Sequence, residues 1–298
     1  MEFRNLVKDG PEIPVIGLGT WQLGGGMGHV SHQTGIKTVH KAVDSGITLI
    51  DTAQLYRGSE ELIGKALLGR RRDKVFLATK ASWKFSKKDI TASMENSLRM
   101  LQVDHVDLYQ IHWCDESYSI TESMEAMGKL QEQGKTRFIG LSNFTIEQMN
   151  KARETIPFQS LQPRYNMLDR GIEEEILPFC EEHGIGVLSY SPLAKGLLTG
   201  SYKAGHRFQD DDERSDNPQF KGSLFDQNLA KAQALAKVAS EKSISLVQLA
   251  IAWQLRLNSI KCVLIGAKSP QQVQEHLGSI GISFNNDELR RIDEILAL

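Results

Sequence analysis

Short apolar runs alternate with amphipathic segments along almost the whole chain. The runs cover residues 15–19, 47–51, 75–80, 106–112, 138–142, 158–162, 186–190 and 263–266. Each is four to seven residues long and rich in Val, Ile, Leu, Phe and Tyr, as expected of strands buried on both faces. Between them, apolar residues recur at helical spacing over 31–45, 59–68, 87–101, 119–133, 146–154 and 172–183, with 226–240 and 246–256 before the last run. This is the rhythm of βα units, whose strands are covered on the outside by helices. Eight units in 298 residues favour a closed parallel barrel, with a doubly wound open sheet as the competing arrangement.

Ahead of the first run, residues 3–7 and 12–14 flank Asp9-Gly10, a turn dipeptide, so a small β-hairpin is expected to close the bottom of the barrel. The expectation is an α/β fold, a (β/α)8 TIM barrel with that N-terminal hairpin and two extra helical segments near the C-terminus. Without an internal repeat or a Pro/Ser-rich linker, residues 1–298 read as a single domain. One stretch breaks the rhythm. Residues 199–225 carry Tyr202, His206, Arg207 and Phe208, then Asp210-Asp211-Asp212-Glu213 and Pro218. Following the seventh run, they fall on the rim where barrels keep lids and specificity loops; a solvated excursion is the alternative.

Composition narrows the class of function. Lys plus Arg number 35 against 37 Asp plus Glu, a net charge of -2, which argues against a nucleic-acid binder built on a large basic surface. The three cysteines, Cys114, Cys180 and Cys262, are an odd, widely spaced set, unlike a disulfide scaffold or a cysteine metal site. A reducing, cytoplasmic setting is expected. The first residues lack the apolar run of a signal peptide, and no stretch approaches the roughly 18–20 apolar residues of a membrane span.

Candidate chemistry comes from the polar residues that end these runs. Asp51 ends Leu49-Ile50-Asp51, Lys80 ends Ala78-Thr79-Lys80 and His112 ends Gln110-Ile111-His112, while Tyr56 stands in the loop five residues after Asp51. In a barrel, these C-terminal ends converge on one mouth. A buried lysine needs a partner, so Lys80 is expected to pair with Asp51. A tyrosine titrates near 10, and an adjacent ammonium is expected to favour its ionised form. Tyr56 therefore reads as a general acid that protonates a carbonyl oxygen as hydride reaches the carbon, with His112 orienting that oxygen. None of these roles needs a metal. An unrelated ion pair, a core tyrosine and a satisfied histidine form the alternative.

On these motifs the chain resembles the aldo-keto reductase superfamily over essentially its whole length, and in particular its bacterial-type members with a short C-terminus. The resemblance rests on Ile16-Gly17-Leu18-Gly19-Thr20-Trp21, Asp51-Thr52-Ala53-Gln54-Leu55-Tyr56 and Ser59-Glu60-Glu61-Leu62-Ile63-Gly64. It continues in Gly140-Leu141-Ser142-Asn143-Phe144, Gln162-Pro163-Arg164-Tyr165-Asn166, Tyr190-Ser191-Pro192-Leu193 and Ile265-Gly266-Ala267-Lys268. It implies a nicotinamide-dependent oxidoreductase with NADPH preferred and NADH as second cofactor, and Asp51, Tyr56, Lys80 and His112 as its tetrad. By the same resemblance Ser142, Asn143 and Gln162 bind the carboxamide and Tyr190 stacks on the nicotinamide. Ser142 and Asn143 could equally cap the following helix. Ser191, Leu193 and Gly196, with Lys195 between, match the segment beneath the pyrophosphate, although Lys195 reads equally as a solvated charge. Lys268, Ser269, Gln272 and Glu275 match the adenosine-end segment. There the chain departs from relatives that place arginine near Gln272 and asparagine near His276.

A Gly-rich run, Gly24-Gly25-Gly26-Met27-Gly28, lacks the spacing of a dinucleotide fingerprint and reads as a rim loop. Trp21, Trp83 and Trp113 read equally as pocket walls or packing. Arg57, directly after Tyr56, is another departure and charges the pocket mouth. The chain ends at Leu298 without a long pocket-covering tail, which implies an open site. The expected activity is reversible carbonyl reduction on a small-molecule carbonyl or alcohol by a monomer, with no nucleic-acid or membrane partner. A nucleotide-sensing regulatory subunit with little turnover is the competing reading.

Overall fold

The computed structural model describes residues 1–25, 27–209 and 212–298. Gly26 of the glycine run, and Asp210 and Asp211 of the acidic run, lie outside the described residues. The chain opens with an antiparallel hairpin, β1 (Phe3–Asn5) and β2 (Glu12–Pro14). Its turn is closed by a Gly10 N–H donating to the Val7 carbonyl, and Asp9, not Gly10, takes the left-handed conformation at φ 58°. Aspartate tolerates that region because its short polar side chain bonds locally.

Eight parallel strands then close a barrel: β3 (Ile16–Gly19), β4 (Leu49–Asp51), β5 (Phe76–Ala81), β6 (Val106–Ile111), β7 (Thr136–Ser142), β8 (Ser160–Gln162), β9 (Gly186–Tyr190) and β10 (Ile260–Gly266). Closure is made by β10, which pairs with both β9 and β3. Each of the eight apolar runs is a barrel strand, and the open sheet is excluded.

Ten helices are described: α1 (His32–Asp44), α2 (Ser59–Ala66), α3 (Lys87–Leu101), α4 (Ile120–Glu132), α5 (Ile146–Thr155), α6 (Ile176–Glu182), α7 (Gly222–Glu241), α8 (Leu246–Leu255), α9 (Pro270–Leu277) and α10 (Asn286–Leu296). Most begin where a short polar side chain can take an orphan N–H. Ser31, Ser86, Ser119, Thr145, Ser245, Ser269 and Asn285 each accept from the backbone N–H three residues on. Two helices differ from the sequence pattern. α6 starts four residues later than residue 172, which puts Pro178 in its first turn, where its missing N–H costs nothing. α7 starts earlier, at Gly222. The extra helices α7 and α10 pack together, tied by Lys242 to Glu288 at 2.6 Å and by Arg291 to Glu241.

The barrel interior is layered. Its floor is Leu49, Ala78, Leu108, Leu188, Cys262 and Leu264, onto which the hairpin seats Leu6 and Ile13. Burying a leucine or isoleucine side chain there contributes about 1.5–3 kcal/mol, which anchors the hairpin as a plug. Gly186 is required for that seat, since a Cβ on it would lie 2.1 Å from the Leu6 carbonyl oxygen. Two residues beyond Leu49, Ala78 and Leu108, the two-residue strand period turns Asp51, Lys80 and Gln110 toward the same axis, where Gln162 at the end of β8 joins them, all at 3% exposure or less. An apolar floor thus supports a polar layer, and the mouth opens above it.

Candidate active site

Asp51, at the end of β4, anchors the polar layer. Its Oδ1 accepts from the Lys80 Nζ at 2.5 Å, and its Oδ2 accepts from the Gln162 Nε2 at 2.9 Å and the Gln110 Nε2 at 3.2 Å. Both carboxylate oxygens thus face donors, three in all and one of them a cation, the condition under which a buried charge is tolerated. Lys80 is fully buried and uses all three of its N–H bonds, to Asp51, to the Thr52 carbonyl at 3.0 Å and to the Tyr56 hydroxyl at 3.4 Å. The pair expected from sequence is therefore present, and its third bond reaches the candidate acid.

Tyr56 is aimed by two consecutive turns: its N–H donates to the Ala53 carbonyl, and its own carbonyl accepts from Ser59. They swing the ring back over the end of β4, edge-on to Trp21 at 5.0 Å and to His112 at 5.7 Å. His112 directly follows β6, its N–H donating to the Ala81 carbonyl, and its Nδ1 lies 3.0 Å from the Ser82 Oγ. The four tetrad candidates thus meet at one mouth.

Their titration departs from the expectation for Tyr56. Burial, with Asp51 adding to the rise, pushes the phenol well above its ordinary value, so the Lys80 ammonium 3.4 Å away does not leave it ionised in the resting site. Burial also lowers the Lys80 ammonium against the pull of Asp51. The physical reason is that Asp51 offsets much of the Lys80 charge, and what remains is outweighed by the desolvation of a phenolate. Burial, helped by Lys80, holds His112 down to about 2, so its imidazole is neutral. A protonated phenol beside a neutral imidazole is a donor pair suited to a carbonyl oxygen.

This arrangement predicts a pH profile. Carbonyl reduction needs the phenol protonated, so its rate is expected to be level from about pH 6 to 9 and to fall only above the ordinary tyrosine range. No inflection is expected near about 6.5, the ordinary histidine value. Steady-state kcat measured across that range checks this, and an inflection near neutrality that disappears in His112→Gln would show that the imidazole titrates normally.

The residues matched to the nicotinamide lie beside this layer. The Ser142 Oγ donates to the Gln162 carbonyl at 2.9 Å, and the Asn143 Nδ2 donates to the His112 carbonyl at 3.1 Å. The Tyr190 hydroxyl donates to the Asn143 Oδ1 at 2.9 Å, which fixes the attitude of the ring. Neither Ser142 nor Asn143 caps α5. That role belongs to Thr145, in a capping box with Gln148. Gln162 spends its amide N–H bonds on Asp51 and Gln110, leaving its carbonyl end for a ligand.

Further out, the chain after β9 passes through left-handed backbone at Ser191, Ala194, Lys195 and Gly196. The Ser191 carbonyl accepts from Asn166, Leu193 packs against the core, and Gly196 is closed over by the Tyr202 ring. Lys195 is not a free rim charge: its Nζ lies 3.2 Å from the Glu213 Oε1, which also accepts from the Trp21 Nε1 at 3.2 Å. Lys268 reaches across to the rim loop and donates to the Met27 carbonyl, and its backbone N–H donates to the Gln272 Oε1 at 2.7 Å. Ser269 caps α9 at Gln272, while Glu275 is exposed on that helix and His276 faces the core at 3% exposure. Lys268, Ser269 and Gln272 therefore form one local group, and Glu275 stands apart from it.

Trp21 and Trp113 touch the site, Trp113 lying 4.8 Å from the His112 ring, whereas Trp83 is exposed. Arg57 is exposed beside the mouth. The described part of 199–225 packs on itself as Tyr202, His206, Phe208, Phe220 and Phe225, with Arg214 over Phe208 at 4.6 Å and bonded to the Tyr202 hydroxyl. Sequence reasoning missed Gln110, Ser82 and Glu213. A glutamine inside an apolar strand was the available signal for Gln110; for the other two no local signal exists. Among the described residues, no three His, Cys, Asp or Glu side chains are grouped to hold a metal ion.

The model of the aldo/keto reductase family matches residues 15–297. The aldo-keto reductase YhdN of Bacillus subtilis (strain 168) is 39% identical over 310 residues, covering 99% of this chain and 94% of that protein. The glycerol dehydrogenase AKR11B4 from Gluconobacter oxydans superposes with a TM-score of 0.89 at 37% identity, over 96% of this chain and 92% of that one. An aldo/keto reductase from Klebsiella pneumoniae, solved with NADP and acetate, gives 0.80 at 30% identity over 99% and 96%.

Proposed function

The chain belongs to the aldo/keto reductase family, and we propose that this NAD(P)H-dependent oxidoreductase reduces the carbonyl of an aldehyde or ketone, reversibly, with Tyr56 as general acid. NADPH is the preferred cofactor and NADH the second. The observation that carries the reading is the chain of contacts from Asp51 through Lys80 to the Tyr56 hydroxyl, at the mouth where His112 also stands.

The residues around the mouth fit a nicotinamide. The free carbonyl end of Gln162 and the hydroxyl of Ser142 suit a carboxamide, and the tethered face of Tyr190 suits a flat ring. Ser191, Leu193 and Gly196 are the proposed pyrophosphate contacts, and Lys268, Ser269, Gln272 and Glu275 the adenosine-end contacts. The lysine charge and the α9 N-terminus favour an anion there. A reduced nicotinamide, when bound, supplies the hydride.

The chain's own residues do the rest. Tyr56 gives its hydroxyl proton to the carbonyl oxygen as negative charge develops there, and Lys80, 3.4 Å from that hydroxyl, stabilises the phenolate left behind. Asp51 keeps the ammonium in place, held in turn by Gln110 and Gln162. His112 orients the oxygen from the other side, and the rings of Trp21 and Trp113 exclude water. In alcohol oxidation the phenolate takes the proton back.

A single domain over residues 1–298 fits this reading, as does a monomer whose barrel leaves no strand edge open. The partner is a small carbonyl or alcohol, without nucleic acid or membrane. No described helix is long and apolar enough to cross a membrane, and three free cysteines suit a cytoplasmic location.

The test is titration of the protein with NADPH and NADH, followed by a panel of aldehydes and ketones read by loss of reduced-nicotinamide absorbance. Tighter NADPH binding with turnover is expected. Binding without turnover across the panel would favour the sensor role, and failure to bind either nucleotide would overturn the proposal.

A further inference from the structure

We propose that Ser82 is a positioning residue that sets the tautomer of His112, so that its Nε2 carries the proton offered to the substrate oxygen. The inference rests on the carbonyl-reductase reading of the mouth. Ser82 follows β5 directly and is fully buried, so solvent does not compete for its hydroxyl. That hydroxyl has one proton and two acceptors in reach, the His112 Nδ1 at 3.0 Å and the Lys80 carbonyl at 3.2 Å.

A neutral imidazole has one N–H, and two arrangements follow. With the proton on Nδ1, the ring donates to Ser82, the hydroxyl turns to the Lys80 carbonyl, and Nε2 meets a substrate oxygen as a bare lone pair. Two acceptors would then face each other. With the proton on Nε2, the Ser82 hydroxyl donates to Nδ1 along the shorter of its two contacts, and Nε2 becomes a donor aimed from the opposite edge of the ring. Only the second arrangement lets His112 and Tyr56 both donate to one oxygen. The backbone around the ring is already pinned, since the His112 N–H donates to Ala81 and its carbonyl accepts from Asn143. The tautomer is the remaining freedom, and Ser82 is the group that touches it.

The experiment is 15N NMR of the histidine-labelled full chain with NADP+ added, the His112 signal being assigned among the eight histidines by its loss in His112→Gln. A protonated Nε2 with a hydrogen-bonded, unprotonated Nδ1 is expected. A protonated Nδ1 would overturn the proposal, and because this readout needs no turnover it stands whether or not a carbonyl is reduced. In Ser82→Ala the Nδ1 signal is expected to move toward that of an unbonded nitrogen. Its kcat is expected to fall roughly tenfold, the worth of one neutral hydrogen bond, with cofactor affinity unchanged. Ser82→Thr, which keeps the hydroxyl, should restore both. A lower kcat with the parent 15N signature, or an unchanged kcat in Ser82→Ala, would reduce Ser82 to packing.

Discussion

Replacing Tyr56 with phenylalanine is expected to lower kcat for carbonyl reduction by roughly 10²- to 10⁴-fold, the range for loss of a positioned general acid. NADPH affinity should change little. The ring that meets Trp21 and His112 edge-on is kept, and only the hydroxyl 3.4 Å from the Lys80 Nζ is lost. Because the phenol is neutral, its removal takes no charge out of the site. Steady-state rates beside a fluorescence titration of NADPH separate the two effects. A variant that keeps more than about a tenth of parental kcat would mean that the proton comes from another group, with His112 the first to examine.

Lys80→Met is expected to be the most destabilising change in the site. It leaves the Asp51 carboxylate in the barrel interior with two glutamine amides and no cation, and breaking a buried ion pair in this way costs about 3–5 kcal/mol. Chemical denaturation at neutral pH should show the loss, and it should ease on acidification as the stranded carboxylate takes up a proton. Lys80→Met combined with Asp51→Leu should recover much of the stability, since an apolar pair of similar volume avoids both desolvation penalties. It should recover none of the activity, because the proposed support of the Tyr56 phenolate is gone. Stability in the single variant equal to that of the parent would contradict the burial of the pair.

The eight strands and most helix starts were legible in the chain because each follows from a local rule. A strand buried on both faces must be apolar, and a helix start needs a short oxygen-bearing side chain to take an orphan N–H. The places where the reading slipped are places where local rules compete with packing. Pro178 moves the start of α6, and the aromatic residues of 199–225 find one another across a stretch that has no period to read.

For the site, the sequence alone determined which side chains stand at strand ends: Asp51 ends β4, Lys80 is the last residue but one of β5, His112 directly follows β6, and closing the barrel brings such ends together. Only the tertiary structure decided how their charges are spent. Gln110 and Gln162 come from strands far along the chain to share Asp51, Glu213 crosses the mouth to hold Lys195 and Trp21, and Ser82 meets His112 across neighbouring strands. The direction of the Tyr56 shift was likewise out of reach of sequence spacing. It depends on a balance between desolvation and a lysine whose charge Asp51 offsets in large part, and that balance is a property of distances and burial in the closed barrel.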